Sequence, residues 1–142
     1  MLRFMAHLDL PLSASAGSAF DLLLWDARGL VPVVAWDQQT GEVLMAAHAN
    51  RSALAETLRT GWATYWSRSR KELWVKGDTS GNRQRIIEVR ADCDGDHLLY
   101  VIQASGPACH TGRRSCFSWR VDRDASVTCD RPLMPVDSEE RL

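Results

Sequence analysis

Only one segment of this chain carries both a helix start and a helix stop, and that constrains the fold more than any other feature. Asn50 can cap the orphan amides of a helix that it opens, and Gly61 suits the stop position. Between them Ala53, Leu54 and Leu58 mark an apolar face. The rest reads as strands and turns. Residues 31–36 and 42–47 form a predicted hairpin across the turn Asp37-Gln38-Gln39-Thr40-Gly41. Residues 62–67 alternate in β-favouring aromatic types, and residues 76–82 form a polar loop with two glycines. Residues 86–92 and 97–103 are two strands around Cys93-Asp94-Gly95-Asp96, where the Asp-Gly step suits a tight turn. An irregular stretch from Gly106 to Ser115 precedes a last strand over residues 117–121. One helix with roughly six mainly antiparallel strands predicts an α+β domain dominated by sheet.

The 142 residues are enough for one domain with a sizeable core. Seventeen basic against eighteen acidic residues argue against a nucleic-acid coating protein. The longest apolar run, residues 30–36, is far too short to span a membrane. Four cysteines are too few for a disulfide framework. His7 and Asp9 break the apolar run that a secretory signal needs, so residues 1–28 are expected to be a partly ordered extension of a cytoplasmic protein. Residues 122–142 are expected to be a tail, frayed at its polar end. Of the basic residues only Lys71 and Lys76 are lysine, a bias that suits bidentate anion recognition but also follows from a GC-rich genome.

Four constellations carry chemistry. Cys109 and Cys116 flank a loop, Cys93 lies sixteen positions before Cys109, and Cys129 stands apart. No pair has the close spacing of a structural zinc site. Three thiolates with an open fourth position suit catalytic zinc, and three unrelated buried thiols fit the spacing equally well. Asp92, Asp94 and Asp96 repel one another unless a cation compensates, and such oxygen ligands suit magnesium or calcium. The alternative is a solvated acidic turn. His110 lies beside Cys109, where an imidazole can act as general acid or base, and Arg113 and Arg114 add anion-binding charge. Finally, Trp66-Ser67-Arg68-Ser69-Arg70 opens a stretch to Arg90 with seven basic and three acidic residues, a composition suited to phosphate or to a solvated basic face.

Residues 29–117 resemble the phosphoribosyl-AMP cyclohydrolase family of histidine biosynthesis. The resemblance rests on five ordered motifs. They are Thr40-Gly41-Glu42-Val43-Leu44-Met45, Tyr65-Trp66-Ser67-Arg68-Ser69-Arg70, Lys76-Gly77-Asp78-Thr79-Ser80-Gly81-Asn82, the Asp92 to Asp96 run, and Gly106-Pro107-Ala108-Cys109-His110-Thr111-Gly112-Arg113-Arg114-Ser115-Cys116-Phe117. It implies a cyclohydrolase domain over residues 29–121, folded as a bent, barrel-like mixed sheet with one or two short helices in an intertwined homodimer. It implies zinc on Cys93, Cys109 and Cys116, one ion per subunit with Cys93 supplied across the dimer, and magnesium on Asp92, Asp94 and Asp96. His48-Ala49-Asn50 departs from the Tyr-Met-Asn expected there, and the length leaves room for the cyclohydrolase step alone.

The implied reaction adds water to carbon 6 of the purine of 1-(5-phosphoribosyl)-AMP and opens its bond to ring nitrogen 1. Zinc would activate the water; by residue type, His110 is the candidate proton shuttle, Arg68, Arg70, Arg113 and Arg114 are candidates for the two phosphates, and Trp66 is the candidate for stacking near the base. Two other classes remain open on the residues: a structural zinc module docking RNA through residues 68–90, and a related deaminase or nucleotide hydrolase with a changed substrate.

Overall fold

A computed structural model describes residues 12, 13, 15 and 17–135. Most of the expected N-terminal extension before residue 17 and the polar end from residue 136 lie outside the described residues. The fold is sheet-dominated α+β. In chain order it comprises α1 (Ala19–Leu22), β1 (Val31–Asp37), β2 (Val43–Ala49), α2 (Arg51–Thr60), β3 (Thr64–Ser67), β4 (Glu72–Val75), β5 (Gln84–Ala91), β6 (Leu98–Ala104), β7 (Trp119–Val121) and β8 (Val127–Cys129).

The main sheet has the order β2-β1-β6-β5. β1 runs antiparallel to β2 and parallel to β6, and β5 runs antiparallel to β6, so the sheet is mixed. A parallel neighbour needs a long crossover, and here the crossover contains α2 and the β3–β4 hairpin. Backbone bonds from Ile86 N–H to Gly61 O (2.8 Å) and from Ala63 N–H to Gln84 O (2.9 Å) tie the entry to β3 onto β5. No strand pairing joins β3–β4 to β2 among the described residues, so the expected barrel does not close.

The expected helix forms between its expected caps. Asn50 accepts from Ala53 N–H at 2.8 Å, and Gly61 takes the left-handed conformation (φ 77°) that a side chain would strain. Its buried face differs by one residue from the expected one. Leu58 is 51% exposed, while Thr57 is fully buried beside Ala53 and Leu54. The Thr57 hydroxyl is tolerated there because it is saturated with hydrogen bonds, accepting from Thr64 N–H at 3.0 Å and donating toward Ala53 O at 2.8 Å.

The core lies between α2 and the main sheet, with Val31, Val33, Ala35, Leu44, Leu54, Tyr65, Tyr100 and Ile102 all fully buried. Along β1 burial alternates strictly, the signature of a strand with one covered face. Burying a side chain such as Leu54 contributes about 1.5–3 kcal/mol.

Two hairpins escape the sequence reading. β4 pairs with β3, and β8 pairs with β7 inside the expected tail. The strand expected over residues 117–121 is β7, which begins at Trp119. No helix among the described residues is long and apolar enough to cross a membrane.

Candidate metal and nucleotide site

The loop of residues 106–116 folds back on itself, with Ala108 N–H bonded to Arg114 O and Cys109 N–H to Arg113 O. It is pinned to the start of β2 by Cys116 N–H to Leu44 O (2.7 Å) and Ser115 Oγ–H to Val43 O (2.8 Å). These contacts bring Cys116 close enough to Cys109 for each thiol to perturb the other. The two thiols differ. Burial, then the charge of Cys109, pushes Cys116 up to about 11. Burial also pushes Cys109 up, but the Thr111 hydroxyl, 3.0 Å from its sulfur, and further bonds leave it below the ordinary thiol value. Lys76, buried and within electrostatic reach of both, is pushed down by burial and held up by Cys116 and Cys109.

Soft sulfur donors beside a buried cation fit zinc, which binds thiolate and displaces the proton. They make half a tetrahedral site. No third Cys, His, Asp or Glu stands at ligand distance from this pair among the described residues. Cys93 is exposed on the β5–β6 turn, and His110 is exposed on the loop between the two thiols.

The acidic turn between β5 and β6 is clamped by the N-terminal segment. Leu24 N–H donates to Gly95 O at 2.7 Å, and a Cβ on Gly95 would sit 2.5 Å from Leu22 O, which demands glycine there. Asp92 accepts from Asp96 N–H at 2.9 Å. Ligand atoms of Asp92, Asp96 and His97 all lie within 4.8 Å of one another. The His97 ring, 2.8 Å from Asp96, draws the Asp96 carboxyl down to about 2, and His97 is raised in return. Asp94 is outside that group of three, and hydrogen bonds to Asp96 and Asp92 raise its carboxyl. The two carboxylates suit a hard divalent cation, whereas the imidazole suits a transition metal such as zinc. The sequence reading missed His97, although its place next to Asp96 was a usable signal.

A cavity of about 610 Å³ opens between β2 and the β3–β4 hairpin. Trp66, Arg68 and Arg70 line it, together with His48, Ser67, Ser69 and Trp74. The volume is in the range of small-molecule sites. No carboxylate lines it, so its charge is positive. Arg113 and Arg114 are elsewhere: the Arg113 Nε donates to Arg131 O at 2.8 Å, and the Arg114 Nε pairs with Glu42 at 3.4 Å. Trp74 links cavity and thiols, because Lys76 Nζ lies 5.6 Å from its ring centroid. Lys76 and Trp74 were also missed. The rarity of lysine in this chain was the available signal for the former.

Residues 45–118 match the family model described as phosphoribosyl-AMP cyclohydrolase. A Cereibacter sphaeroides protein named phosphoribosyl-AMP cyclohydrolase is 62% identical over 117 residues, 81% of this chain and 98% of that protein. One from Archaeoglobus fulgidus with the same name is 57% identical over 107 residues, 75% and 98% of the respective chains. One from Alkalilimnicola ehrlichii, also so named, is 59% identical over 102 residues, 72% of each.

Proposed function

The chain belongs to the phosphoribosyl-AMP cyclohydrolase family, and from that membership we propose a zinc-dependent opening of the purine ring at a site shared between two copies of the chain. Hydrolysis of phosphoribosyl-AMP in histidine biosynthesis is its activity. The finer proposal is that water adds to carbon 6 of 1-(5-phosphoribosyl)-AMP while the bond from carbon 6 to ring nitrogen 1 breaks. Oxygen stays on carbon 6 as a carboxamide, and nitrogen 1 gains a proton.

The observation that carries the zinc assignment is the pairing of Cys109 and Cys116 beside Lys76, with no third ligand from the same chain among the described residues. Cys93, exposed on a separate turn, is free to complete the site of a second copy. Bound zinc supplies the Lewis acidity that brings the ionisation of water near neutral pH. His110, exposed beside that pair, takes the proton that the attacking water loses and returns it to ring nitrogen 1. Arg68 and Arg70 bind one phosphate at the cavity wall and Trp66 stacks on the base; Arg113 and Arg114, which lie outside that cavity, are assigned to the second phosphate and must leave Arg131 O and Glu42 to reach it. Asp92, Asp94 and Asp96 hold magnesium, whose charge offsets their mutual repulsion. The protein works in the cytoplasm as a homodimer on a small nucleotide, without a nucleic-acid or membrane partner.

Subunit mixing tests the shared site. Cys93→Ser and Cys109→Ser homodimers should each be nearly inactive. Refolded together with zinc, half of the dimers are mixed, and each mixed dimer has one intact site and one doubly damaged site. Turnover of phosphoribosyl-AMP should return to about a quarter of wild type. No recovery, with mixed dimers verified by mass, overturns the shared site.

A further inference from the structure

His48 is the one histidine among the described residues that lines the cavity. β2 is an outer strand of the main sheet, and His48 sits near its end opposite Pro32. Its ring is half-buried in the cavity wall that also carries Arg68 and Arg70. Its β2 neighbours along that wall, Ala46 and Ala47, are too small to crowd a ligand. Every ionisable side chain lining the cavity is therefore basic, and the serines Ser67 and Ser69 add hydroxyl donors. An arrangement of this kind binds an anion.

We propose that His48 is a further substrate-binding residue of this cavity, which donates a hydrogen bond to the substrate phosphate bound by Arg68 and Arg70. The inference rests on the assignment of the cavity to the substrate and deepens it. The charged groups facing His48 are Arg68 from the β3–β4 turn and Arg28 and Asp26 from the turn before β1, with Arg70 on the shared wall. Burial, then Arg68, then Arg28 hold the ring below the ordinary histidine value, against the opposing pull of Asp26. The free site therefore carries a neutral imidazole at neutral pH. A phosphate dianion placed on Arg68 offsets the two guanidinium charges and adds an attraction of its own. The ring then takes up a proton together with the ligand and becomes a charged donor. A fixed cation would lack this behaviour: at His48 affinity gains a pH dependence that the arginines cannot supply.

The test compares KM for phosphoribosyl-AMP between pH 5.5 and 8.5 in wild type, His48→Gln and Arg68→Gln. The substrate's own phosphates titrate near pH 6, and the ratio of KM values cancels that common effect. His48→Gln should raise KM about tenfold at the acid end, the order of one charge-assisted hydrogen bond. The ratio should shrink toward unity at the alkaline end, with kcat within about twofold throughout. As a check without mutation, the His48 ring resonances of wild type should titrate at a higher pH in saturating inorganic phosphate than in chloride. A pH-independent KM ratio, a loss confined to kcat, or an unmoved ring titration overturns the role of His48. If His48→Gln is silent while Arg68→Gln raises KM, only the His48 inference falls. If Arg68→Gln also leaves KM unchanged, the substrate assignment of the cavity falls with it.

Discussion

Replacing Thr57 by valine sets two stability arguments against each other with opposite signs. The substitution preserves shape and exchanges a hydroxyl for a methyl group at a fully buried position. Transfer arguments alone predict a gain, since a buried methyl is favoured over a buried hydroxyl. The local geometry predicts a loss. The Thr57 oxygen is the acceptor for Thr64 N–H at 3.0 Å and lies 3.3 Å from the Tyr100 hydroxyl. Valine leaves that buried amide without an acceptor, at a cost of about 1–3 kcal/mol. Thr57→Ser keeps the acceptor and deletes only a methyl group, at a cost of about 1 kcal/mol. Thermal melts by circular dichroism, at fixed protein and zinc concentration, should rank wild type above serine and serine above valine. For a domain of this size the valine variant should melt roughly 3–9 °C below wild type. A valine variant as stable as wild type would refute the claim that this hydroxyl holds α2 to β3. Turnover per folded molecule should change little, because β3, which carries Trp66 and leads into Arg68, is seated in every folded molecule.

Removing zinc with a chelator should abolish turnover and re-addition should restore it; full turnover in a sample shown by elemental analysis to lack zinc would contradict the metal assignment. His110→Ala should lower kcat by about 10²–10⁴-fold while zinc content stays at the wild-type level, checked by assay alongside metal analysis. Loss of zinc in that variant would make His110 a ligand or a support for one. Stability should fall in alkali, because burial pushes Tyr100 up to about 12 and also raises Tyr65. A raised tyrosine value favours the folded state fully below pH 10 and loses that contribution as pH climbs through 12, about 3 kcal/mol for Tyr100. Urea melts at pH 9.5 and 11.5 should show the gap between wild type and Tyr100→Phe narrowing at the higher pH; an unchanged gap would count against it.

The sequence by itself determined whatever depends on local chemistry. Asn50 and Gly61 bounded α2 because capping and left-handed backbone are properties of one residue and its near neighbours. The β1–β2 and β5–β6 hairpins were legible for the same reason, each turning on a glycine with positive φ, Gly41 and Gly95. The two hidden hairpins turn without one. Lys71 (φ 52°) and Ala125 (φ 70°) take the left-handed position, residue types that carry no turn signal, so β4 and β8 could not be read from composition. Tertiary structure alone decided which face of α2 is buried. Leu58 outranks Thr57 in any hydropathy pattern, but Thr57 finds partners on β3 and β6 for its hydroxyl, so the core accepts it. The site divides along the same line. Ligand types, thiol against carboxylate, are written in the residues, whereas their grouping depends on long-range contacts. The bonds from residues 115 and 116 to β2 bring Cys116 to Cys109, and the β3–β4 hairpin carries Lys76 beside them. Nothing local to residue 48 announces that its ring shares a wall with Arg68, because only the packing of β2 against a hairpin twenty residues away puts them together.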